Sequence, residues 1–254
     1  MRSKFILFGS ILFIFLLKMS TGQEISKNNE QLIYSLHFGI FKAGIAKLET
    51  KDTITSKGEQ YTHIFALGRS TGFVNALYRV YDIYESFIEP ETMLPARSIR
   101  NIREGNYRYY NEVFFQRDSH RIYSQRSGYW DAPHEIHDIL SAFHYLRKEL
   151  ISPGLRYGDT ITIETFFSDE FYPLRIRYMG TDKVEIGLGK FRCYKFVPIV
   201  EVGRLFRDED DMRIWISKDD NKIPILIEFD IKVGSFVCEL IEFKNNQFHL
   251  RKPQ

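Results

Sequence analysis

The sequence is poor in cysteine and proline, has no marked excess of either charge, and its main apolar run is short. Two cysteines and eight prolines among 254 residues exclude a small fold held together by disulfides. A composition of 44% hydrophobic and 27% charged residues excludes a disordered chain and a coiled coil. What the sequence does have is aromatic residues, 22 Phe, 15 Tyr and 2 Trp, which can fill a sizeable core.

The first 22 residues have the pattern of a secretory signal peptide. Arg2 and Lys4 precede an apolar run over residues 5–17, and Ser20 and Gly22 give small residues before a cleavage site. The run is shorter than the roughly 20 residues of a membrane-spanning helix, although an uncleaved anchor stays an alternative. We therefore predict an exported protein, periplasmic or associated with the cell envelope, with no transmembrane segment in the mature chain.

The predicted cleavage changes the charge balance. Three of the 35 basic residues (Arg2, Lys4 and Lys18) and no acidic residue lie in residues 1–22, which leaves 32 basic against 33 acidic residues. The mature chain is then slightly acidic, so we expect no nucleic-acid partner.

The rest of the chain is dominated by short segments in which apolar and polar residues alternate, as at 32–38 and 61–67. Residues 174–179 and 183–186 are predicted as two separate strands. The pattern predicts a mainly β fold, a single curved antiparallel sheet or an open or half β-barrel. No linker divides the chain, so we predict a flexible lead-in over 23–30, one domain over 31–244 and a polar tail over 245–254.

Two segments are predicted to be helical. Residues 138–150 carry an apolar stripe at helical spacing, with Asp138 as N-cap and Pro153-Gly154 as the stop, and this helix is expected to pack across the sheet. Residues 71–78 are predicted as a short helix.

Short segments spread along the chain carry a family resemblance: Leu32-Ile33-Tyr34, Ala43-Gly44-Ile45-Ala46, Tyr81-Asp82-Ile83-Tyr84-Glu85-Ser86, Glu104-Gly105, Asp138-Ile139-Leu140-Ser141, Leu146-Arg147, Gly158-Asp159, Trp215-Ile216-Ser217, Ile223-Pro224 and Val233-Gly234-Ser235. Together they resemble a bacterial family, domain-of-unknown-function family 3108. The similarity covers nearly the whole mature chain and implies an exported protein, but no activity. The Trp215 hairpin is also similar to one in the periplasmic lipoprotein carriers of the Lol system, whose open β-barrels with a helical lid hold acyl chains.

His134, His137 and His144 are the candidates for a metal or catalytic site. Zinc is bound by imidazoles with a carboxylate, and Glu135 lies between the first two histidines. A zinc-protease helix requires His-Glu-x-x-His, however, and here the second His comes one residue early. We therefore interpret these residues as polar groups around a helix start and assign no catalytic residue, metal or cofactor. A hydrolase with a dispersed site near His134 and His137 is the alternative.

Cys193 and Cys238 both lie in strand-like segments near the C-terminus. In an oxidising compartment they can form a disulfide if those strands are neighbours. Buried free thiols are the alternative interpretation.

The function predicted from these features is non-catalytic binding of a lipid or other apolar small molecule inside the open barrel. The aromatic residues Phe65, Phe114, Phe143 and Trp215 are the proposed walls of the cavity, and plain core filling is the alternative for each. A second hypothesis is an envelope-assembly or protein-interaction module that binds an envelope protein through a sheet edge or an aromatic face.

Overall fold

The computed structural model describes residues 29–56, 58–199, 208–232 and 234–245. The predicted signal peptide (1–22) and most of the predicted lead-in (23–30) and tail (245–254) lie outside the described residues. Those assignments stay predictions.

Fourteen antiparallel strands form one continuous sheet across the described residues. The alternating apolar residues predicted most of them, and eleven of the fourteen are eight or more residues long. The strands are β1 (Glu30–Phe38), β2 (Phe41–Ile54), β3 (Gln60–Ser70), β4 (Tyr81–Ile88), β5 (Pro95–Glu104), β6 (Tyr107–Gln116), β7 (Arg121–Ser124), β8 (Gly128–Asp131), β9 (Thr160–Phe167), β10 (Glu170–Ile186), β11 (Gly189–Pro198), β12 (Met212–Ser217), β13 (Pro224–Ile231) and β14 (Gly234–Asn245).

The sheet curls so that its two end strands approach each other. Strands that follow each other in the chain pair with each other, except β8 and β9, and β1 also pairs with β14. Strands β8 and β9 are therefore the two ends of the sheet. Trp130 of β8 packs against Phe166 of β9 and Phe171 of β10, with ring centroids 5.6 and 6.1 Å apart. The ends therefore meet through side chains and not through a hydrogen-bonded ladder, and the predicted mainly β, open-barrel architecture is confirmed.

The outer edge of β9 is partly covered by the segment that follows β8. The His137 amide donates to the Glu164 carbonyl (3.0 Å), and the Phe166 amide donates to the His137 carbonyl (2.8 Å). These bonds form a short parallel bridge between His137 and Thr165. They satisfy backbone groups that an exposed edge strand presents to other chains.

Helix α2 (Ile139–Tyr145) lies across the curled sheet and continues as one π-helical turn, Leu146–Leu150. Asp138 is its N-cap, and Asp138 and Ser141 form a reciprocal capping box. Ala142 and Leu146 are buried against Ile163, Phe196 and Ile214. Both predicted helices are present, since α1 (Gly72–Leu77) lies within residues 71–78.

Cys193 and Cys238 are free and buried, so the predicted alternative of a disulfide is not realised. The condition for that bridge was that their strands are neighbours, but β12 and β13 lie between β11 and β14. Burial raises the pKa of both thiols to about 12, which keeps them protonated and unreactive. Both side chains pack in one apolar cluster with Leu32, Trp215 and Leu240.

Candidate functional site

A narrow cleft lies between the N-terminus of α2 and strands β4 to β6. It encloses about 30 Å³, which is room for a water molecule or two. Sites for drug-sized or lipid-sized ligands are about 300–1,000 Å³. This cleft is therefore too small for the acyl chain that the sequence analysis predicted inside the barrel.

Asp138 is the buried acid of this cleft. One carboxylate oxygen accepts hydrogen bonds from the amides of Leu140 (2.8 Å) and Ser141 (3.0 Å), and the other accepts from the Ser86 hydroxyl. Burial raises the pKa of Asp138 to about 6, although these hydrogen bonds favour the ionised form. The carboxylate is occupied by capping the helix and fastening it to β4, so its role is structural.

Arg100 is the cation of the cleft, and aromatic rings enclose it. Its guanidinium carbon lies 4.3 Å from the ring centroid of Phe167, 4.9 Å from that of Tyr109 and 5.5 Å from that of Tyr84. One terminal nitrogen donates to the Ser168 hydroxyl at 2.6 Å. Arg100 thus ties β5 to the β9–β10 turn and helps to hold the two ends of the sheet together.

The structure does not bring the three candidate histidines together. His134 is exposed, with its ring 6.1 Å from that of His120. His137 is buried and stacks on Tyr145 at 5.1 Å, and burial, with the Arg117 charge, lowers its pKa to about 4. His144 is buried beside Arg147, and burial lowers its pKa to about 3. The described residues contain no group of three or more metal-ligating side chains.

The contact between His137 and Ser141 has the residue types of a nucleophile and its base, at 3.2 Å from Nδ1 to Oγ. Ser141 is fully buried, and its hydroxyl already accepts from the Asp138 amide and donates to the Asp138 carbonyl. No substrate can reach that oxygen, so the pair belongs to the helix cap. The converging site near His134 and His137 that the hydrolase alternative requires is not formed.

The four predicted wall residues do not line one cavity. Ile64 pairs with Ser86, which faces α2, so the next residue along β3, Phe65, points to the opposite face of the sheet. Phe114 is likewise next to Val113, which lines the cleft.

Phe143 packs in the α2 cluster, and Trp215 is buried with its indole N–H donating to Asp182 at 3.1 Å. Phe143 and Trp215 fill the core, and Phe65 and Phe114 are half-buried on the face away from α2.

One end of the sheet carries a cluster of exposed apolar side chains, which we call the apolar tip. The β1–β2 turn, α1 and the β5–β6 turn all lie at this end, because antiparallel neighbours reverse direction there. None of the residues of α1 is buried. The apolar tip consists of Ile40 (90% exposed), Phe41 (66%), Phe73 (74%), Leu77 (70%) and Tyr78 (50%).

Hydrogen bonds and one close packing contact hold α1 at this end. The Thr71 amide donates to the Ala43 carbonyl of β2 at 3.0 Å, and the Ser70 hydroxyl donates to the Asn75 side chain at 3.0 Å. The Tyr78 ring lies directly over Gly105, where φ is +51° and a Cβ atom would come within 2.7 Å of the ring. The apolar tip is therefore a supported structure and not a frayed connection.

An open crevice of about 590 Å³ borders the apolar tip, and we call it the arginine crevice. Arg103 of β5 and Arg108 of β6 are directly opposite each other in the sheet, and Arg79 follows Tyr78 of the tip in the chain. The lining residues are Arg79, Tyr81, Arg103, Gly105 and Arg108. Neither surface was predicted from the sequence. The signal for the apolar tip is that Phe73 and Leu77, four residues apart, share one face of a helix too short to be buried on all sides.

The comparisons with known proteins give a family and a fold. The sequence family described as "Protein of unknown function (DUF3108)" matches residues 33–241. No curated protein matches the sequence. The described part of the chain contains no helix long and apolar enough to cross a membrane.

Among solved structures, the chain is similar to a β-barrel-like protein of the DUF1849 domain from Brucella abortus. The TM-score is 0.54 at 10% identity, over 85% of this chain and 97% of that chain, which supports the fold alone. A DUF1089-family protein from Pseudomonas aeruginosa gives a TM-score of 0.38 at 10% identity, over 64% and 82% of the two chains. A structure of MucB in complex with MucA gives 0.11 at 12% identity, over 84% and 89%. The last two scores are too low to carry an argument.

Proposed function

The chain belongs to the DUF3108 family of proteins of unknown function, and on that premise we propose that it is an exported, non-catalytic lipid-interacting protein that docks on the surface of an anionic membrane through its apolar tip. The signal-like N-terminus motivates the export part of the proposal. The exposed apolar tip carries the docking part.

Five large apolar side chains at one end of a folded domain are unusual because water contact with such a cluster is unfavourable. Burying an apolar side chain of this size is worth about 1.5–3 kcal/mol. Phe41, Phe73 and Leu77 are 66–74% exposed, so most of that free energy is still available to a partner. Insertion of the three side chains into the boundary between headgroups and acyl chains would recover it.

The charges around the apolar tip favour an anionic lipid surface over a protein partner. Lys42 follows Phe41 and Arg79 follows Tyr78, and both are exposed. Arg103 and Arg108 lie in the adjoining crevice. Each basic residue near an anionic bilayer contributes about 1 kcal/mol, and long basic side chains keep their charge among the headgroups while their stems remain in apolar surroundings.

The predicted lipid site inside the barrel is replaced by this surface. The cleft beside α2 encloses only about 30 Å³, and Phe143 and Trp215 are packed in the core. The apolar tip offers contact with lipid without any cavity. The partner is still a lipid, as predicted from the sequence, but its contact lies on the outside of the domain.

Co-sedimentation with vesicles tests the docking. Wild type is expected to bind vesicles of 30% phosphatidylglycerol in phosphatidylcholine, and Phe73→Ser/Leu77→Ser is expected to lower the vesicle-bound fraction at least fivefold. Because both residues are about 70% exposed, the unfolding midpoint should change little. The matched control is Ile54→Ser/Tyr157→Ser, since Ile54 (64% exposed) lies at the opposite end of β2 and Tyr157 (73% exposed) lies on the loop before β9, outside the apolar tip.

Two results would contradict the proposal. In one, the Phe73→Ser/Leu77→Ser variant binds the vesicles as well as wild type. In the other, wild type ignores the vesicles and forms a dimer in sedimentation velocity that the same variant abolishes, which would make the apolar tip a protein interface.

A further inference from the structure

We propose that the arginine crevice binds the phosphate ester of a phospholipid headgroup while the apolar tip enters the apolar layer below it. The inference rests on the proposed docking and deepens it, because it names the chemical group that the docked protein recognises. Diffuse attraction to a negative surface needs no particular arrangement of arginines, whereas a phosphate site does.

The backbone places two arginines face to face. Arg103 and Arg108 are cross-strand partners in the β5–β6 hairpin, so their Cβ atoms are about 4.5–5.5 Å apart. Another arginine, Arg69 of β3, lies beside the crevice, because it is directly opposite the lining residue Tyr81 of β4. Like charges directly opposite each other destabilise a sheet. An anion bound between the two guanidinium groups would turn this repulsion into attraction.

The arginines of the crevice are not neutralised by the protein. Within the described residues, the Arg79 and Arg103 side chains form no ion pair. Arg108 donates from one terminal nitrogen to the carbonyls of Gly105 (2.8 Å) and Tyr107 (2.7 Å). Those bonds fix the guanidinium in place and leave its other terminal nitrogen for a ligand.

Two acidic residues lie at the same end of the sheet, and they bind each other and the backbone. Asp82 accepts from the Arg103 amide at 2.9 Å, and Glu104 is hydrogen-bonded to Asp82. Burial, and then the Asp82 charge, raise the pKa of Glu104. The three arginines therefore outweigh the two acids, and the crevice keeps a net positive charge.

The position of the crevice favours a lipid over free phosphate. Arg79 directly follows Tyr78, and the Tyr78 ring covers Gly105, so the crevice and the apolar tip share a border. If the bound molecule is a phospholipid, a phosphate held there has its ester groups on the side of Tyr78 and the apolar tip. The crevice of about 590 Å³ is large enough for a glycerophosphate headgroup.

Titration with a soluble short-chain lipid tests this site without a membrane. Dihexanoyl phosphatidylglycerol below its micellar concentration and inorganic phosphate are titrated separately into the full chain by calorimetry. We expect saturable binding of the lipid, at least tenfold tighter than binding of phosphate. Arg103→Gln/Arg108→Gln should weaken lipid binding at least tenfold, whereas Arg175→Gln/Arg192→Gln, which removes the same charge from exposed positions on β10 and β11, should leave it unchanged.

The outcomes separate the two proposals. Equal weakening by both arginine pairs would overturn the site in favour of general electrostatics, and equal affinity for phosphate and lipid would overturn the lipid assignment. Wild-type lipid affinity in Arg103→Gln/Arg108→Gln would overturn the site while leaving tip docking intact. If Phe73→Ser/Leu77→Ser loses vesicle binding but keeps the arginine-dependent binding of phosphate, both proposals stand.

Discussion

Arg147 and Glu30 form a buried ion pair that fastens the end of α2 to β1. The guanidinium bonds to both carboxylate oxygens, at 2.9 and 3.1 Å, and donates to the carbonyls of Lys222 (2.7 Å) and Asn221 (3.2 Å). Burial alone would raise the pKa of Glu30, but the Arg147 charge and hydrogen bonds outweigh it and hold the pKa below its usual value. At the scale of residues, the interior is therefore organised by paired charges as well as by apolar packing.

Breaking this pair from one side should be costly. Arg147→Met leaves the Glu30 carboxylate buried without its partner, and we expect a loss of about 3–5 kcal/mol in the free energy of unfolding by urea denaturation. The double variant Glu30→Gln/Arg147→Met should lose less than Arg147→Met alone, because no charge is left buried. A double variant as unstable as the sum of the two single variants would contradict the coupling.

Two buried histidines should make the protein sensitive to acid. In the unfolded chain an imidazole takes up its proton near pH 6.5, but in the folded protein His137 does so at about 4 and His144 at about 3. Between these pH values the unfolded chain binds more protons, so the free energy of unfolding falls as the pH decreases, by up to about 1.4 kcal/mol per pH unit and proton.

Asp138 acts in the opposite direction. Its pKa rises from 3.8 in the unfolded chain to about 6 in the folded protein. Between about pH 6 and 4 the folded protein therefore binds one extra proton at Asp138, which cancels the destabilising effect of one of the two histidines. Urea denaturation at pH 7.5, 6 and 5 measures the sum. His144→Gln should flatten the decline by about one proton, and an unchanged slope in that variant would contradict the assignment.

At the scale of elements, α2 depends on its first turn. The Asp138 carboxylate accepts two amide hydrogens of that turn, and Ser141 completes the capping box. The sequence predicted this cap because Asp138 precedes an apolar stripe. The π-helical turn over Leu146–Leu150 was not predictable, since it accompanies the placement of Arg147 against Glu30, a residue far away in the chain.

Replacing the cap separates the hydrogen bonds from the charge. Asp138→Ala should destabilise the protein by about 1–2 kcal/mol at pH 7.5, measured by chemical denaturation. Asp138→Asn keeps a side-chain oxygen for the amides and removes the buried charge, so it should stay within about 1 kcal/mol of wild type. If the asparagine variant is as unstable as the alanine variant, the carboxylate charge itself is needed.

The strands were largely predictable and their irregularities were not. Alternation over 32–38 and 61–67 predicted β1 and β3, which the structure extends to Glu30–Phe38 and Gln60–Ser70. The prediction of two strands over 174–179 and 183–186 was wrong, because β10 is one strand with a register shift between Tyr178 and Thr181, where Gly180 has a φ of +85°. A glycine between two apolar runs looks the same in sequence whether it ends a strand or bends one.

At the scale of the whole molecule, the fold creates surfaces that no local pattern contains. The predicted walls Phe65 and Phe114 were expected inside the barrel, but which face of a strand turns inward is set by how the whole sheet curls. The apolar tip and the arginine crevice combine residues from the β1–β2 turn, α1 and the β5–β6 turn. These residues lie together because β1 to β6 are antiparallel neighbours in chain order. The sequence predicted that order only as a class of architecture.

The measurement that tests membrane docking most directly is hydrogen–deuterium exchange of the wild-type chain with and without phosphatidylglycerol vesicles. We expect new protection confined to peptides covering residues 38–44, 71–81 and 103–108, which contain the apolar tip and the arginine crevice. Vesicle binding that leaves these peptides unprotected, or that protects residues 139–150 of the α2 region instead, would contradict docking through the apolar tip.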